Sequence, residues 1–451
     1  MNYKLILHTL GKILLIEALL LIFPLIINFI YQENNLFAFA LTISILMMVG
    51  TLLIMVKPKD KRMFVREGFV IVGLAWIVLS LFGALPFTIS GEIPNYIDAF
   101  FETVSGFTTT GASILTDVEA MSKSMLFWRS FTHWIGGMGV LVFVLAILPN
   151  SEGQNIYLLK AESTGPQVGK LVSKVRFTAR ILYIIYFGLT LLEVILLLLG
   201  KNSLYESIVM SFGTAGTGGF GIYADSVGGF NIYSQVVIAI FMMLFGINFN
   251  IYYLVLIGKI KQAIKSEELR WYLVVILLST TMITANLMIN LNQTFGIALK
   301  DAYFQVSSIM TTTGFATVDF NLWPTFSKTI LIIIMFVGGC AGSTGGGIKV
   351  SRIVILFKSL KREIQKLLHP NSVAPIKMEG DVVEVIVVKC VNLYFAFIYY
   401  IGPGLSLVGP MGNYDCFSYF SKIILSILML IGRLEVYPIL ILFLPKTWTG
   451  K

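Results

Sequence analysis

Long apolar segments alternate with short polar ones along almost the whole chain. Many of the apolar segments approach about 20 residues, the length of α-helix that crosses the hydrocarbon of a bilayer. The first two predicted spans cover residues 6–30 and 36–56, and a short polar turn at residues 32–35 joins them. Because 57% of the residues are hydrophobic and only 13% are charged, the chain is far more apolar than a soluble domain. The pattern therefore predicts an all-α polytopic membrane protein.

From residue 68 onward the pattern repeats. Its unit is a span, a short helix, a loop rich in threonine and glycine, and a second span. In the first three repeats these elements are predicted at residues 68–87, 96–105, 107–112 and 127–148; at 181–199, 204–212, 215–220 and 233–256; and at 272–289, 301–308, 310–315 and from 329 onward. The chain is thus predicted to contain two N-terminal helices with a basic link (1–67) and four repeats around a central pore (68–180, 181–270, 271–380 and 381–451).

The net charge of +9 could suggest a nucleic-acid partner, but the placement of the basic residues indicates membrane topology instead. Basic residues in short links mark the cytoplasmic side. They are Lys57, Lys59, Lys61, Arg62 and Arg66; Lys160, Lys170, Lys174, Arg176 and Arg180; Lys259, Lys261, Lys265 and Arg270; and Lys358, Lys361, Arg362 and Lys366. The N-terminus is therefore predicted to be cytoplasmic, and no nucleic-acid partner is expected.

The opposite, external side carries acidic residues. They are Glu92, Asp98, Glu102, Asp117, Glu119, Asp225, Asp301 and Asp319. One hypothesis is that these carboxylates concentrate cations near a pore mouth. The alternative is that they are ordinary solvated loop charges.

The loops rich in threonine and glycine place oxygen atoms at membrane depth. Irregular backbone is tolerated there only where it is buried in protein or lines a water-filled path. Hydroxyl and carbonyl oxygens on such a path can replace the water shell of a small cation. The residues predicted to bind the ion are Thr109, Thr110 and Gly111; Thr217, Gly218 and Gly219; Thr312, Thr313 and Gly314; and, in the fourth repeat, Ile401 and Gly402. Together they predict a cation selectivity filter.

A glycine-rich segment interrupts the second span of repeat three. Six of the eleven residues from Val337 to Gly347 are glycine: Gly338, Gly339, Gly342, Gly345, Gly346 and Gly347. Each glycine costs a helix about 1 kcal/mol relative to alanine, so the segment is predicted to be unwound. Close helix packing through small residues would account for only one or two of them. A phosphate-binding loop is excluded because Ile348 separates Gly347 from Lys349.

Arg433 lies within the last apolar span, which is predicted over residues 417–444. A charged side chain inside a membrane is costly and is therefore a functional candidate. Pairing with Glu435 is the alternative, but two residues along a helix do not face each other. We predict that Arg433 belongs to a gate.

Several motifs resemble those of one known family. The motifs are the four-fold repeat itself, Trp128-Arg129-Ser130, residues 134–139, residues 213–220 and residues 338–347. They resemble the Trk/Ktr/HKT superfamily of potassium transporters, and its TrkH branch in particular, over essentially the whole chain. The resemblance implies that a filter glycine in each repeat selects K+. It also implies that the glycine-rich loop plugs the pore below the filter, and that Arg433 adds a barrier to ions.

The same resemblance implies a setting and partners. The expected location is the bacterial cytoplasmic (inner) membrane. The expected partners are a second copy of the chain, forming a homodimer, and a cytoplasmic nucleotide-binding regulatory subunit of the TrkA type. K+ would be the transported ion, and no covalently bound cofactor is expected. In this family a serine in place of a filter glycine accompanies sodium tolerance, and none is present here.

The fourth repeat departs from the pattern. Residues 68–111, 181–219 and 272–314 lead from the start of a span to its filter glycine, whereas residues 381–402 provide only about half that length. A single span uses up this length, so the short helix before Ile401 and Gly402 is predicted to be missing. Gly402 would then lie near the outer end of the span rather than at filter depth.

Three alternatives remain beside potassium transport. One is a sodium-permeable or sodium-coupled carrier of the same fold. Another is a non-conducting variant, because of the short fourth repeat. The third, a membrane enzyme, would need a set of converging nucleophiles or acid–base groups, and the sequence contains none. The chain is therefore predicted not to be an enzyme.

Overall fold

The computed structural model describes residues 1–60, 64–139, 175–369, 375–383 and 412–434, together with Leu442 and Thr447. This part of the chain is mostly helical. It contains one antiparallel hairpin, formed by strand β1 (Lys377–Met378) and strand β2 (Asp381–Val382). The predicted all-α membrane fold is therefore confirmed.

The helices are numbered in chain order over the described residues. They are α1 Tyr3–Leu20, α2 Ile22–Ile30, α3 Leu36–Met55, α4 Val65–Gly83, α5 Leu85–Ser90, α6 Tyr96–Phe107, α7 Lys123–Gly137, α8 Val175–Leu199, α9 Leu204–Gly216, α10 Ile232–Phe245, α11 Phe249–Leu256, α12 Ile260–Lys265, α13 Glu267–Leu291, α14 Phe295–Met310, α15 Thr325–Val337, α16 Val350–Leu368 and α17 Tyr419–Leu434. A short 3-10 turn covers Phe320–Leu322.

Within the described part, five helical segments are long and apolar enough to cross a membrane. They are Tyr3–Ile30, Leu36–Met55, Arg66–Ser90, Ala179–Leu199 and Glu267–Leu291. These segments coincide with the two N-terminal spans and with the first span of each of the first three repeats. Hydrophobic length alone therefore located these spans correctly.

The second span predicted for repeat two, residues 233–256, is bent rather than straight. Helix α10 ends at Phe245, α11 begins at Phe249, and the two are bent by 92°. At the break, the Gly246 carbonyl accepts a hydrogen bond from the Cys340 N–H (2.9 Å), and the Phe249 N–H donates to the Gly342 carbonyl (3.0 Å). Because partners distant in sequence replace the helical hydrogen bonds, the hydropathy pattern did not reveal the break.

The other two second spans also end next to a glycine. Helix α7 ends at Gly137, and α15 ends at Val337, immediately before Gly338. The rest of the second span predicted for repeat one, residues 140–148, lies outside the described residues. Each of the first three repeats therefore has a helix that stops where the chain can turn.

The short helices are longer than predicted and have defined starts. The Asn95 side chain accepts the Ile97 N–H (2.8 Å) at the start of α6. Ser203 and Glu206 form a reciprocal capping box at the start of α9, which satisfies two backbone donors at once. These caps fix where α6 and α9 begin, and hence where the loops after these two helices lie.

The second-span helices of the first two repeats each pack against the short helix of the next repeat. Helix α7 contacts α9, and α10 contacts α14. Helix α17, from the fourth repeat, contacts α6 of the first. The described contacts therefore follow the order of a ring in which the last repeat lies beside the first.

A buried ion pair joins the last repeat to the first. The Lys422 ammonium lies 2.7 Å from an Asp98 carboxylate oxygen, and the two side chains are only 2% and 15% exposed. The Tyr414 N–H also donates to the Ser113 carbonyl (2.8 Å). These two contacts hold α17 against α6 and the loop that follows it.

We expect Lys422→Met to destabilise the protein, because it leaves the Asp98 charge largely buried without its cation. The cost of breaking a buried pair in this way is about 3 kcal/mol. The melting temperature of the purified protein in detergent should fall, and adding Asp98→Asn should recover part of the loss. Lys366→Met is the matched control, because its contact with Glu363 is 3.9 Å long and exposed. Equal melting temperatures for the two single variants would contradict this role for Lys422.

Candidate functional site

The three loops rich in threonine and glycine share one backbone conformation. In each, a threonine has a positive φ, and so has the glycine two residues later: Thr109 (55°) and Gly111 (79°), Thr217 (54°) and Gly219 (79°), and Thr312 (61°) and Gly314 (90°). A positive φ is uncommon for a β-branched residue. Its recurrence shows that the three glycines occupy equivalent positions in their loops.

The same hydrogen bonds fix each loop to the helix before it. The residue preceding the glycine donates its N–H to a carbonyl five positions earlier: Thr110 to Ser105 (2.9 Å), Gly218 to Gly213 (3.0 Å) and Thr313 to Ser308 (2.8 Å). The loops therefore begin directly at the C-terminal ends of α6, α9 and α14. These ends carry the partial negative charge of the helix dipole, which favours a cation.

Neighbouring loops touch through a glycine and a carbonyl oxygen. A Cβ atom built on Gly111 would lie 1.9 Å from the Gly218 carbonyl oxygen, and one built on Gly219 would lie 2.1 Å from that of Thr313. Both distances are too short for any side chain. The structure thus brings the predicted residues of three loops into one cluster, and each filter glycine in it remains half-buried rather than fully buried.

A buried ion pair supports the first two loops. Arg129 Nε lies 2.6 Å from Glu102 Oε1, and both side chains are almost fully buried. Glu102 also accepts hydrogen bonds from Ser113 Oγ and the Ile114 N–H (both 2.9 Å), just after the first loop. Arg129 donates to the Gly221 carbonyl (3.1 Å), just after the second loop. One ion pair therefore connects the segments that follow the first and second loops.

The acidic residues predicted to be external are largely engaged in structural contacts. Glu102 and Asp98 are ion-paired, Glu92 accepts from the Ser122 N–H and hydroxyl, and Asp319 caps Asn321 (2.9 Å). These contacts account for the acidic side chains without any role in concentrating cations. That the carboxylates concentrate cations near a pore mouth therefore stays a hypothesis.

One tyrosine at the same surface is affected by its acidic neighbour. The Tyr223 hydroxyl donates to Glu206 (2.5 Å). This hydrogen bond raises the pKa of Tyr223 to about 12, since ionisation would place a second negative charge beside the carboxylate. Tyr223 therefore stays neutral at physiological pH.

The glycine-rich segment is not helical between α15 and α16, as its composition predicted. Its backbone donors find partners elsewhere in the fold. Glu268 Oε1 accepts the Ala341 N–H (2.7 Å) and the Ser351 N–H (3.1 Å). Thr344 Oγ1 donates to the Phe245 carbonyl (3.1 Å). The segment is therefore a loop fixed by hydrogen bonds to α13 and to the break between α10 and α11.

This segment touches the third predicted filter loop. The Gly346 N–H donates to Thr312 Oγ1 (2.7 Å), and a Cβ atom built on Gly345 would lie 3.1 Å from the Thr311 carbonyl oxygen. Gly338, Gly342 and Gly347 have φ values of 73°, 72° and 77°, a region that glycine adopts readily. The loop thus reaches the filter only because glycines allow both the turn and the close approach.

Arg433 also lies beside this segment. Its guanidinium donates to the Thr344 carbonyl (3.4 Å) and to the Gly137 carbonyl (2.7 Å), and it also contacts the Gly136 carbonyl. Its cationic end therefore connects the glycine-rich loop with the end of α7. The gate role predicted for Arg433 stays a prediction, and these carbonyl partners left no signal in the sequence.

Other predicted residues lie outside the described part of the chain. These are Ile401 and Gly402, which form the proposed fourth filter quarter, and Glu435. Within the described residues, no group of three or more histidine, cysteine, aspartate or glutamate side chains could hold a metal ion. The oxygens available near the three loops are mainly backbone carbonyls and threonine hydroxyls.

Comparison with known proteins agrees with this arrangement. A family model for TrkH, described as a cation transport protein, matches residues 35–418. The Trk system potassium uptake protein TrkH of Escherichia coli K12 is 34% identical, over 99% of this chain and 100% of its own length. The Trk system potassium uptake protein TrkG of the same strain is 31% identical, over 99% of both chains. The crystal structure of the potassium transporter TrkH from Vibrio parahaemolyticus matches with a TM-score of 0.88 and 29% identity, over 100% of both chains.

Spanning helices around a cluster of oxygen-bearing loops define the class of membrane cation transport proteins. Within this class, the chain belongs to the TrkH family. The resemblance inferred from the motifs is therefore confirmed. The family assignment accounts for the membrane fold and the repeated loops, and it indicates a transporter rather than an enzyme.

We expect Gly219→Ala to destabilise the structure for two independent reasons. The residue has a positive φ, and its new Cβ would collide with the Thr313 carbonyl oxygen. The combined cost is on the order of 2–4 kcal/mol, which a lower melting temperature in detergent would reveal. Gly188→Ala is the control, because no described atom outside its own helix backbone lies within 4 Å of its Cβ position. Equal melting temperatures for the two variants would mean that the contact between loops is absent.

Proposed function

We propose that this chain takes up K+ across the cytoplasmic membrane by permeation through its filter loops. The relatives named above are described as potassium uptake proteins. The observation that carries the proposal is the repeated contact between a filter glycine and the carbonyl oxygen of the next loop. It supports a ring of backbone oxygens at one level, which is the arrangement that replaces the hydration shell of a cation.

The helix ends favour the same ion. Helices α6, α9 and α14 all end at a filter loop, so their negative dipole ends converge near the proposed site. A cation gains from this field without forming a direct ion pair. Permeation needs such moderate binding, because a tightly held ion would not leave.

The glycine-rich loop and Arg433 form the proposed gate. The loop bonds to Thr312 in the third filter loop, and Arg433 bonds to the same segment at Thr344. In this position the backbone would block the path, and the positive charge would repel cations. Activation would have to break these hydrogen bonds and move the segment away.

The fourth filter quarter at Ile401 and Gly402 stays a prediction. The alignment with the Escherichia coli TrkH protein runs over 486 positions, although the chain has 451 residues. That relative therefore has residues with no counterpart in this chain, which supports a missing segment. The proposed segment is the short helix before Gly402.

The partners and the orientation are also part of the proposal. The basic links on the inner side, such as that around Lys259, Lys261 and Lys265, would offer a docking surface to a cytoplasmic nucleotide-binding subunit. A homodimer in the bacterial inner membrane, with a cytoplasmic N-terminus, agrees with the charge pattern. A second candidate function is a sodium-permeable or sodium-coupled carrier of the same fold, in which the shortened fourth repeat would weaken potassium selection. In a further variant of it, the shortened repeat would leave the chain unable to conduct ions.

Growth on low potassium tests the proposal. A bacterium deficient in potassium uptake would express this chain with a regulatory partner, and a parallel strain would express the chain with a short helix inserted before Gly402. We expect rescue by the second chain, because its filter would have four supported quarters. Rescue by the unaltered chain as well would show that the short repeat is tolerated. If neither strain grows although both proteins reach the membrane, potassium uptake is not the function.

Removal of the Arg433 charge tests the gate. We expect Arg433→Gln to raise K+ flux into proteoliposomes, without a regulatory partner, by about tenfold, a barrier change of about 1.4 kcal/mol. The version of the chain that supports growth should be used. Arg270→Gln is the control because this arginine is exposed. Unchanged flux in Arg433→Gln would exclude Arg433 from the gate.

A further inference from the structure

Two of the three described filter loops are braced by a pair of threonine hydroxyls. In the first loop, Thr108 Oγ1 lies 2.8 Å from Thr110 Oγ1 and donates to the Val104 carbonyl (2.7 Å). In the third loop, Thr311 Oγ1 lies 2.8 Å from Thr313 Oγ1 and donates to the Ser307 carbonyl (2.7 Å). In both, the residue whose carbonyl precedes the filter glycine is tied to its short helix.

The second loop has no such pair, because its equivalent positions are Gly216 and Gly218. Yet its backbone has the same φ pattern as the other two loops and the same hydrogen bond from residue 218 to residue 213 (3.0 Å). Another group must therefore occupy the space of the missing side chains.

That group is the imidazole of His133, which comes from α7. A Cβ atom built on Gly218 would lie 2.5 Å from His133 Cε1, 2.5 Å from Nδ1 and 2.6 Å from Cγ. The ring thus fills the volume that a threonine side chain at residue 218 would need. Its fit is steric, and it requires glycine at that position.

The imidazole is itself held in place by Phe220, which lies two residues after Gly218. His133 is fully buried and stacks on Phe220, with ring centroids 4.0 Å apart. Its Nδ1 accepts the Phe220 N–H (3.4 Å). The Arg129 guanidinium lies 3.5 Å from the centroid of the same Phe220 ring.

The Gly218 carbonyl is the oxygen that approaches Gly111 in the first loop. We propose that His133 is the positioning residue of the second filter loop, which holds this carbonyl where the threonine pairs hold their counterparts in the other loops. The inference rests on the proposed function, since it assigns His133 a part in K+ selection. His133 does not touch the ion, and it acts through the Gly218 backbone.

A double-mutant cycle tests this assignment. The four proteins are the wild type, His133→Ala, Gly218→Thr and the double variant, and Gly188→Ala is the substitution control. The first readout is the melting temperature in detergent, in choline chloride alone and with added KCl or NaCl. The second is the ratio of K+ to Na+ flux in proteoliposomes. The ion-dependent melting shift reports binding to the filter even where flux is low.

We expect each single change to reduce the preference for K+ over Na+ by about tenfold, or about 1.4 kcal/mol. His133→Ala leaves the carbonyl without support, and Gly218→Thr collides with the imidazole. The double variant should recover most of the preference and of the melting temperature, because threonine then occupies the vacated space. A role in general packing alone would change the melting temperatures but would leave the preference for K+ over Na+ of His133→Ala as in the wild type.

Two results would overturn the proposal. In the first, His133→Ala keeps the wild-type preference for K+. In the second, the double variant is no better than the worse single variant in both readouts. Failure of the proposed function looks different, because the wild type itself would then show no preference for K+ over Na+. Even in that case, the melting temperatures of the four proteins decide whether His133 and residue 218 are coupled.

Discussion

The close approach of a backbone carbonyl to a glycine of the neighbouring loop is the contact on which the rest of the site depends. It joins Gly111 to Gly218 and Gly219 to Thr313. A carbonyl can come this near only where no Cβ is present, so the loops must contain glycine there. It also requires that the short helices be placed accurately. The ring of packed helices, the Glu102–Arg129 pair and the Lys422–Asp98 pair all serve that placement, since each fixes a filter loop or its helix to another repeat.

The glycine-rich loop shows how unwound backbone can persist inside a membrane protein. A break in a helix leaves N–H and C=O groups that lipid cannot satisfy. Here the Glu268 carboxylate and the broken end of α10 supply partners. The break in repeat two and the loop of repeat three therefore support each other. A movement of the loop would require both sets of hydrogen bonds to change.

The repeats reach one geometry through different chemistry. Threonine pairs in the first and third loops and an imidazole beside the second lie behind equivalent carbonyls. The backbone φ values agree among the three loops, although the supporting side chains do not. A filter selects ions by the positions of its oxygens, so different supports are acceptable as long as those positions are kept. Internal symmetry in such a protein is therefore a property of the backbone more than of the sequence.

The sequence by itself determined the membrane class, the first spans of the repeats, the three equivalent loops rich in threonine and glycine, and the unwound segment. These features follow from local properties: hydrophobic length, the hydroxyls of threonine and the poor helix propensity of glycine. Only the tertiary structure decided where α10 breaks, which carbonyls Arg433 meets, and that His133 fills the space beside Gly218. These depend on residues tens to hundreds of positions apart, whose contact leaves no periodic or compositional signal in one sequence. Sequence identified candidate groups, and packing decided which of them meet.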